Sequence, residues 1–146
     1  MRTGREGTAA MIRVLLADDH EAVRLGVTSF LSACADIEVV GAVGNGAAAL
    51  SLIATLAPDV VLMDLSMPVM DGIEATRQIH ALSPHTPVIV LTVSGDHDRV
   101  SAAVEAGASG YIVKGSDPEE LAVGIRAAVR GGQAFCAEAN RARFPE

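Results

Sequence analysis

Val60-Val61-Leu62-Met63-Asp64-Leu65-Ser66-Met67-Pro68-Val69-Met70-Asp71-Gly72 is the stretch whose reading decides the fold. An apolar run ends in one carboxylate, and a proline and a glycine follow soon after. That pattern reads as a buried parallel strand delivering Asp64 to a loop. Open α/β sheets bind their ligands outside the carboxyl ends of such strands. Beyond the loop, Asp71 is placed to cap a helix, and Glu74, three residues on, completes a capping-box pattern ahead of Ile73 and Ile79. Aspartate also favours turns, so on spacing alone Asp64 is equally a turn residue, and its partners elsewhere decide its role.

The same unit recurs on both sides. Ile12 to Ala17 is an apolar strand ending in Asp18-Asp19-His20-Glu21, and Val23, Val27, Phe30 and Leu31 mark one face of the helix that follows. Ile37 to Val43 is a second strand. Asn45 then caps a helix carrying Leu50, Ile53 and Leu56 that Pro58 terminates. After the organising strand and its helix, Pro87 to Thr92 is another apolar run with a polar end, leading to a helix from about Asp96 to near Gly107. Gly110 to Lys114 is a fifth strand. Asp117-Pro118-Glu119-Glu120 supplies the cap, first-turn proline and acids of a last helix, with Leu121, Ile125 and Val129 expected inward and Gly131-Gly132 at its end. Such alternation predicts an α/β fold with a parallel sheet, right-handed crossovers and helices on both faces.

Composition agrees. The 146 residues suit one domain, and half are hydrophobic with only 3% aromatic, so Val, Leu, Ile and Ala must build the core. Residues 1–10, rich in Gly, Thr and Arg, read as a disordered leader; residues 11–132 form the domain; residues 133–146 read as a tail or the start of a linker. A net charge of -7 without a basic cluster argues against this chain holding a nucleic acid backbone unaided. Cys34 and Cys136 form no metal-like pattern, and no stretch resembles a signal peptide or membrane span. A soluble, cytoplasmic setting is expected.

In a doubly wound sheet every strand's carboxyl end meets one edge, so Asp18, Asp19, Asp64, Thr92 and Lys114 should converge there. Taken singly, each has an ordinary reading: the acidic pair as helix caps, Thr92 as a β-branched strand residue, Lys114 as a solvated lysine. Taken together, three clustered carboxylates repel one another and must be protonated or hold a cation. Mg²⁺, which prefers oxygen ligands and bridges carboxylates to phosphoryl oxygens, is the expected guest. A nearby ammonium and hydroxyl would hold the remaining phosphoryl oxygens, which makes phosphoryl transfer to aspartate the chemistry to expect.

Over about residues 12 to 132 the sequence resembles the receiver domains of two-component response regulators. The resemblance rests on Asp18-Asp19, the Asp64-x-x-Met67-Pro68-x-x-Asp71-Gly72 loop, Thr92 and Lys114. Ala106-Gly107-Ala108-Ser109-Gly110-Tyr111, and Lys114 without a following proline, look most like regulators of the LuxR/NarL/FixJ type. The resemblance implies a flavodoxin-like or CheY-like (βα)5 fold with strand order 2-1-3-4-5. It also implies that Asp64 accepts phosphate from a sensor histidine kinase, Asp19 and Asp64 bind Mg²⁺ directly, Asp18 assists through water, and the Ser66 carbonyl completes the ligands. Thr92 and Lys114 would hold the phosphoryl oxygens, and Tyr111 would move inward behind Thr92 as the switch. A phosphorylation-dependent homodimer is expected, with DNA contacted only through a helix-turn-helix output domain absent from this chain, and no membrane partner. One alternative is a phosphohydrolase of the haloacid dehalogenase type, disfavoured because Asp64 lies on the third strand and Ser66 stands where a second Asp belongs. Another is an unphosphorylated pseudo-receiver acting as a binding module. His20, His80, His85 and His97 show no ligand spacing and read as surface residues.

Overall fold

The computed structural model describes residues 11–93 and 95–131, with the backbone of residues 134 and 135. The leader, Ser94, Gly132, Cys136 and the remainder of the tail lie outside the described residues. Strands β1 (Ile12–Ala17), β2 (Ile37–Val43), β3 (Val60–Asp64), β4 (Val88–Thr92) and β5 (Gly110–Val113) alternate with helices α1 (Glu21–Ser32), α2 (Gly46–Leu56), α3 (Gly72–Leu82), α4 (His97–Glu105) and α5 (Pro118–Val129). All ladders are parallel, in the order β2-β1-β3-β4-β5, and a two-residue β6 (Ala134–Phe135) continues the sheet beyond β5. β6 falls within the stretch that the sequence marks as a tail, because two residues carry no periodicity to detect.

Alternation along buried strands builds two apolar layers, one on each face of the sheet. Leu15, Val61, Met63, Val90 and Tyr111 point to the layer completed by Ile53 of α2, Ala75 and Ile79 of α3, and Val100 and Ala103 of α4. Val14, Leu16, Leu62, Ile89 and Ile112 point to the other, completed by Leu31 of α1 and by Leu121, Ile125 and Ala128 of α5. Val129, expected inward, is 41% exposed. At 100° per residue, position 128 returns to the azimuth of Leu121 while position 129 overshoots by about 80°.

Helix starts follow local chemistry. Asn45 Oδ1 accepts from Ala48 N–H at 2.8 Å, and Asp71 Oδ1 accepts from Glu74 N–H at 3.0 Å. Glu74 does not complete a capping box. Its carboxylate instead takes Gln78 at 2.8 Å and pairs with Arg77, because i+3 and i+4 partners on its own helix lie within easy reach. Gly72 is required for another reason: a Cβ there would sit 2.1 Å from the Asp64 carbonyl oxygen. The turn after β3 therefore closes directly on the strand end that carries Asp64.

Among the described residues no helix is long and apolar enough to cross a membrane.

Candidate functional site at the carboxyl edge of the sheet

Backbone geometry brings the predicted residues to one edge. Asp18 follows β1 with its N–H on the Val43 carbonyl at 3.0 Å, and Lys114 follows β5 with its N–H on the Thr92 carbonyl at 2.6 Å. Asp64 and Thr92 end β3 and β4. Lys114 Nζ lies 2.9 Å from Asp64 Oδ1 and 3.1 Å from Asp18 Oδ2, bridging two carboxylates from strands far apart in sequence. Asp18 and Asp64 are both buried. Asp64 Oδ2 is enclosed without a hydrogen-bond partner, and Asp18 Oδ2 has only the nearby ammonium charge, off the hydrogen-bonding direction.

Neither member of the acidic pair caps α1. His20 occupies the N-cap position and makes no side-chain cap, while Asp18 Oδ1 accepts from the His20 backbone N–H at 2.9 Å. The reading of Asp18 and Asp19 as helix caps is thereby removed. His20, read from sequence as a surface residue, is exposed, and its Nδ1 lies 3.1 Å from Asp19 Oδ1 and 3.3 Å from Asp18 Oδ1. One donor atom each from Asp18, Asp19, His20 and Asp64 falls within 4.8 Å of the others. Adjacency to Asp19 was the available signal for it. His80, His85 and His97 are exposed elsewhere.

Burial pushes the Asp64 carboxyl above its ordinary range; the Lys114 hydrogen bond opposes this, the Asp18 charge adds to the upward push, and the Ser66 backbone N–H favours the ionised form. Burial acts on Lys114 in the opposite sense, but the hydrogen bond it donates to Asp64 and the charges of Asp64 and Asp18 outweigh it and hold the ammonium above its usual value. The cluster is therefore short of positive charge. Oxygen donors, one of them orphaned in a buried position, fit a hard divalent cation.

Asp64, Ser66, Thr92, Lys114 and His20 line a cleft of about 130 Å³. The Thr92 hydroxyl is turned onto the Val93 carbonyl at 3.3 Å. A larger groove of about 380 Å³ between α1 and α5 has mostly apolar walls, among them Val27, Phe30 and Leu121, and meets the acidic site only at Leu91 and Lys114. Charge and unsatisfied oxygen mark the smaller cleft as the chemical one.

Tyr111 does not line the cleft. It is fully buried in the layer shared with α4, so the expected inward movement has no outward starting point in this conformer. A tyrosine at a strand position facing the α4 layer packs as core does. Two arginines escaped the sequence reading. Arg24 of α1 donates to the Asp18 carbonyl at 2.6 Å, and Arg99 of α4 donates through Nη1 to Ser66 Oγ at 2.5 Å and through Nη2 to the Leu65 carbonyl at 2.7 Å. Nothing in residue spacing pairs positions 99 and 66.

Residues 14–126 match the family model described as the response regulator receiver domain. The chain is 51% identical over 121 residues to the transcriptional regulatory protein LiaR of Bacillus subtilis, covering 83% of this chain and 57% of that one, so it spans little more than half the length of that relative. Among solved structures, a LuxR-family two-component response regulator from Aurantimonas sp. superposes with a TM-score of 0.83 at 33% identity, over 92% of this chain and 99% of that one. The isolated receiver domain of RcsB from Salmonella enterica serovar Typhimurium, determined with a fluoroberyllate phosphomimetic, gives a TM-score of 0.81 at 27% identity, over 90% of this chain and 98% of that one. These likenesses leave the phosphohydrolase alternative without support. Parallel strand order, acidic edge and family match agree, and the chain belongs to the receiver domain family of response regulators.

Proposed function

We propose that Asp64 accepts a phosphoryl group from a sensor histidine kinase, and that the modified domain controls a transcriptional, helix-turn-helix output. The observation that carries this reading is the Lys114 ammonium bridging Asp64 and Asp18 beside a buried, unpartnered Asp64 oxygen. One Asp64 oxygen attacks phosphorus as the phosphorus–nitrogen bond of phosphohistidine breaks, leaving an acyl phosphate on Asp64 and the electron pair on the imidazole. Asp18, Asp19 and Asp64, with the Ser66 carbonyl, would hold Mg²⁺, which when bound offsets the charge gathered on the phosphoryl oxygens. Lys114 turns from the carboxylate to a phosphoryl oxygen, and Thr92 leaves the Val93 carbonyl to donate to another. Tyr111, behind Thr92, is the second member of the switch. Convergence of the whole acidic set with Thr92 and Lys114 argues against a pseudo-receiver that only binds.

The remaining partners follow from this reading. An output domain contacts DNA, the acidic receiver does not, and phosphorylation promotes a homodimer. The setting is the cytoplasm, where the kinase presents its phosphohistidine.

Incubation with acetyl phosphate and Mg²⁺, followed by intact-mass measurement, tests the acceptor. The wild-type chain gains one phosphoryl mass and the Asp64→Asn chain gains none; undiminished labelling of the variant would overturn the assignment.

A further inference from the structure

Arg99 reaches from α4 to the turn that follows Asp64, and both of its hydrogen bonds end on the two residues immediately after the acceptor. The Leu65 carbonyl that it holds also accepts from Gly72 N–H at 3.0 Å, so this oxygen anchors the turn from two sides. A peptide unit is planar and trans, which fixes the Ser66 N–H antiparallel to the Leu65 carbonyl. That N–H bears on the Asp64 carboxylate and favours its charge. Whatever sets the direction of the Leu65 carbonyl therefore sets the Ser66 N–H as well. The second bond, to Ser66 Oγ, fixes the residue whose own carbonyl is proposed as a cation ligand. A guanidinium presents two parallel donors in a rigid fork, which suits a pair of acceptors one residue apart.

We propose that Arg99 is a positioning residue for the acceptor site: through the Leu65–Ser66 peptide unit it fixes the turn beside Asp64 and couples that turn to α4. The proposal rests on the receiver reading of Asp64. The coupling is reciprocal, as any binding linkage must be. A partner that displaces α4 loosens the turn and weakens cation binding, and a cation or phosphoryl group that tightens the turn draws α4 toward it. Among the described residues, Arg99 is the cationic side chain that bonds to Leu65 and Ser66.

Arg99→Ala, Arg99→Lys and Ser66→Ala separate the two bonds. In the metal-free chain, Arg99→Ala speeds amide exchange across residues 65–72 while the unfolding midpoint stays near the wild-type value. Mg²⁺ affinity and the acetyl phosphate labelling rate at limiting Mg²⁺ each fall roughly three- to tenfold, the scale of one charge-assisted hydrogen bond. Arg99→Lys, with a single compact ammonium, recovers part of the loss, and Ser66→Ala, which keeps the Leu65 bond, loses less than Arg99→Ala. Wild-type Mg²⁺ binding and labelling that match Arg99→Ala overturn the inference, as does a loss that only follows the unfolded fraction. Absence of Asp64 labelling in the wild-type chain would instead strike the receiver reading itself.

Discussion

In its proposed role Asp64 carries opposing demands, since it must be ionised to attack and yet sits where ionisation is costly. Lys114 supplies part of the compensation, but burial and the Asp18 charge prevail, and the carboxyl stays above its ordinary range. A carboxyl whose native pKa is raised binds its proton more tightly folded than unfolded. Stability is therefore lost as pH rises from about 3.9, the ordinary unfolded value, through the native pKa, and the loss is complete above it. Asp64→Asn should remove this cost. In metal-free buffer at pH 7 we expect the unfolding midpoint to rise by roughly 2–4 °C, which corresponds to about 1 kcal/mol for a chain of this size. The gain should vanish below about pH 3.9, and excess Mg²⁺ should narrow it by stabilising the wild type through binding. Thermal melts at both pH values, with and without Mg²⁺, check this; a destabilised variant at pH 7 would show that the Lys114 pair prevails. Asp18, Asp19, Asp64, Thr92 and Lys114 were legible in the sequence because each ends or follows an apolar run, and the topology brings all such ends together. Arg99 was not. A long side chain on a helix reaches the site by direction and length, which a one-dimensional spacing does not record.

The β3–α3 turn shows what an element can and cannot announce. Its proline, glycine and Asp71 cap were readable, and they place the turn where it was expected. The second half of the capping box failed because Glu74 had nearer partners within α3. Val129 failed for a similar reason, since two inward positions on α5 do not fix the azimuth of a third one turn further on. Strain was the least readable feature. Val69 has φ of 71° and is 83% exposed, so a β-branched side chain adopts a left-handed conformation with little burial in return. Asparagine tolerates that region, and Val69→Asn should raise stability by about 1 kcal/mol, within the usual cost of the left-handed conformation. Urea unfolding of the two chains is the measurement. An unchanged midpoint would mean that Val69 relaxes out of the left-handed region at no cost.

At the scale of the whole molecule, the sheet separates two apolar layers, and the site communicates with them unequally. α4 belongs to the layer that holds Tyr111, Val100, Ala103 and Met67, whereas α1 and α5 pack in the opposite one. Arg99 ties α4 to the turn after Asp64, and the Thr92 hydroxyl, on the Val93 carbonyl, sits at the start of the loop into α4. A phosphoryl group on Asp64 that draws Thr92 away from Val93 therefore acts first on that loop and on the packing around Tyr111. Because Tyr111 is already buried, the change is a repacking around a fixed or shifting ring, not its entry from solvent. Two such packings must differ by only a few kcal/mol for a phosphoryl group to select between them. Fluoroberyllate with Mg²⁺ should thus alter amide exchange in residues 65–72 and across 95–116, with the middle of α1 unchanged. With a net charge of -7 the chain should also leave DNA unretarded in electrophoresis, with or without fluoroberyllate. Exchange that changes at 65–72 alone, with α4 and β5 silent, would refute this route from the acidic edge to the surface.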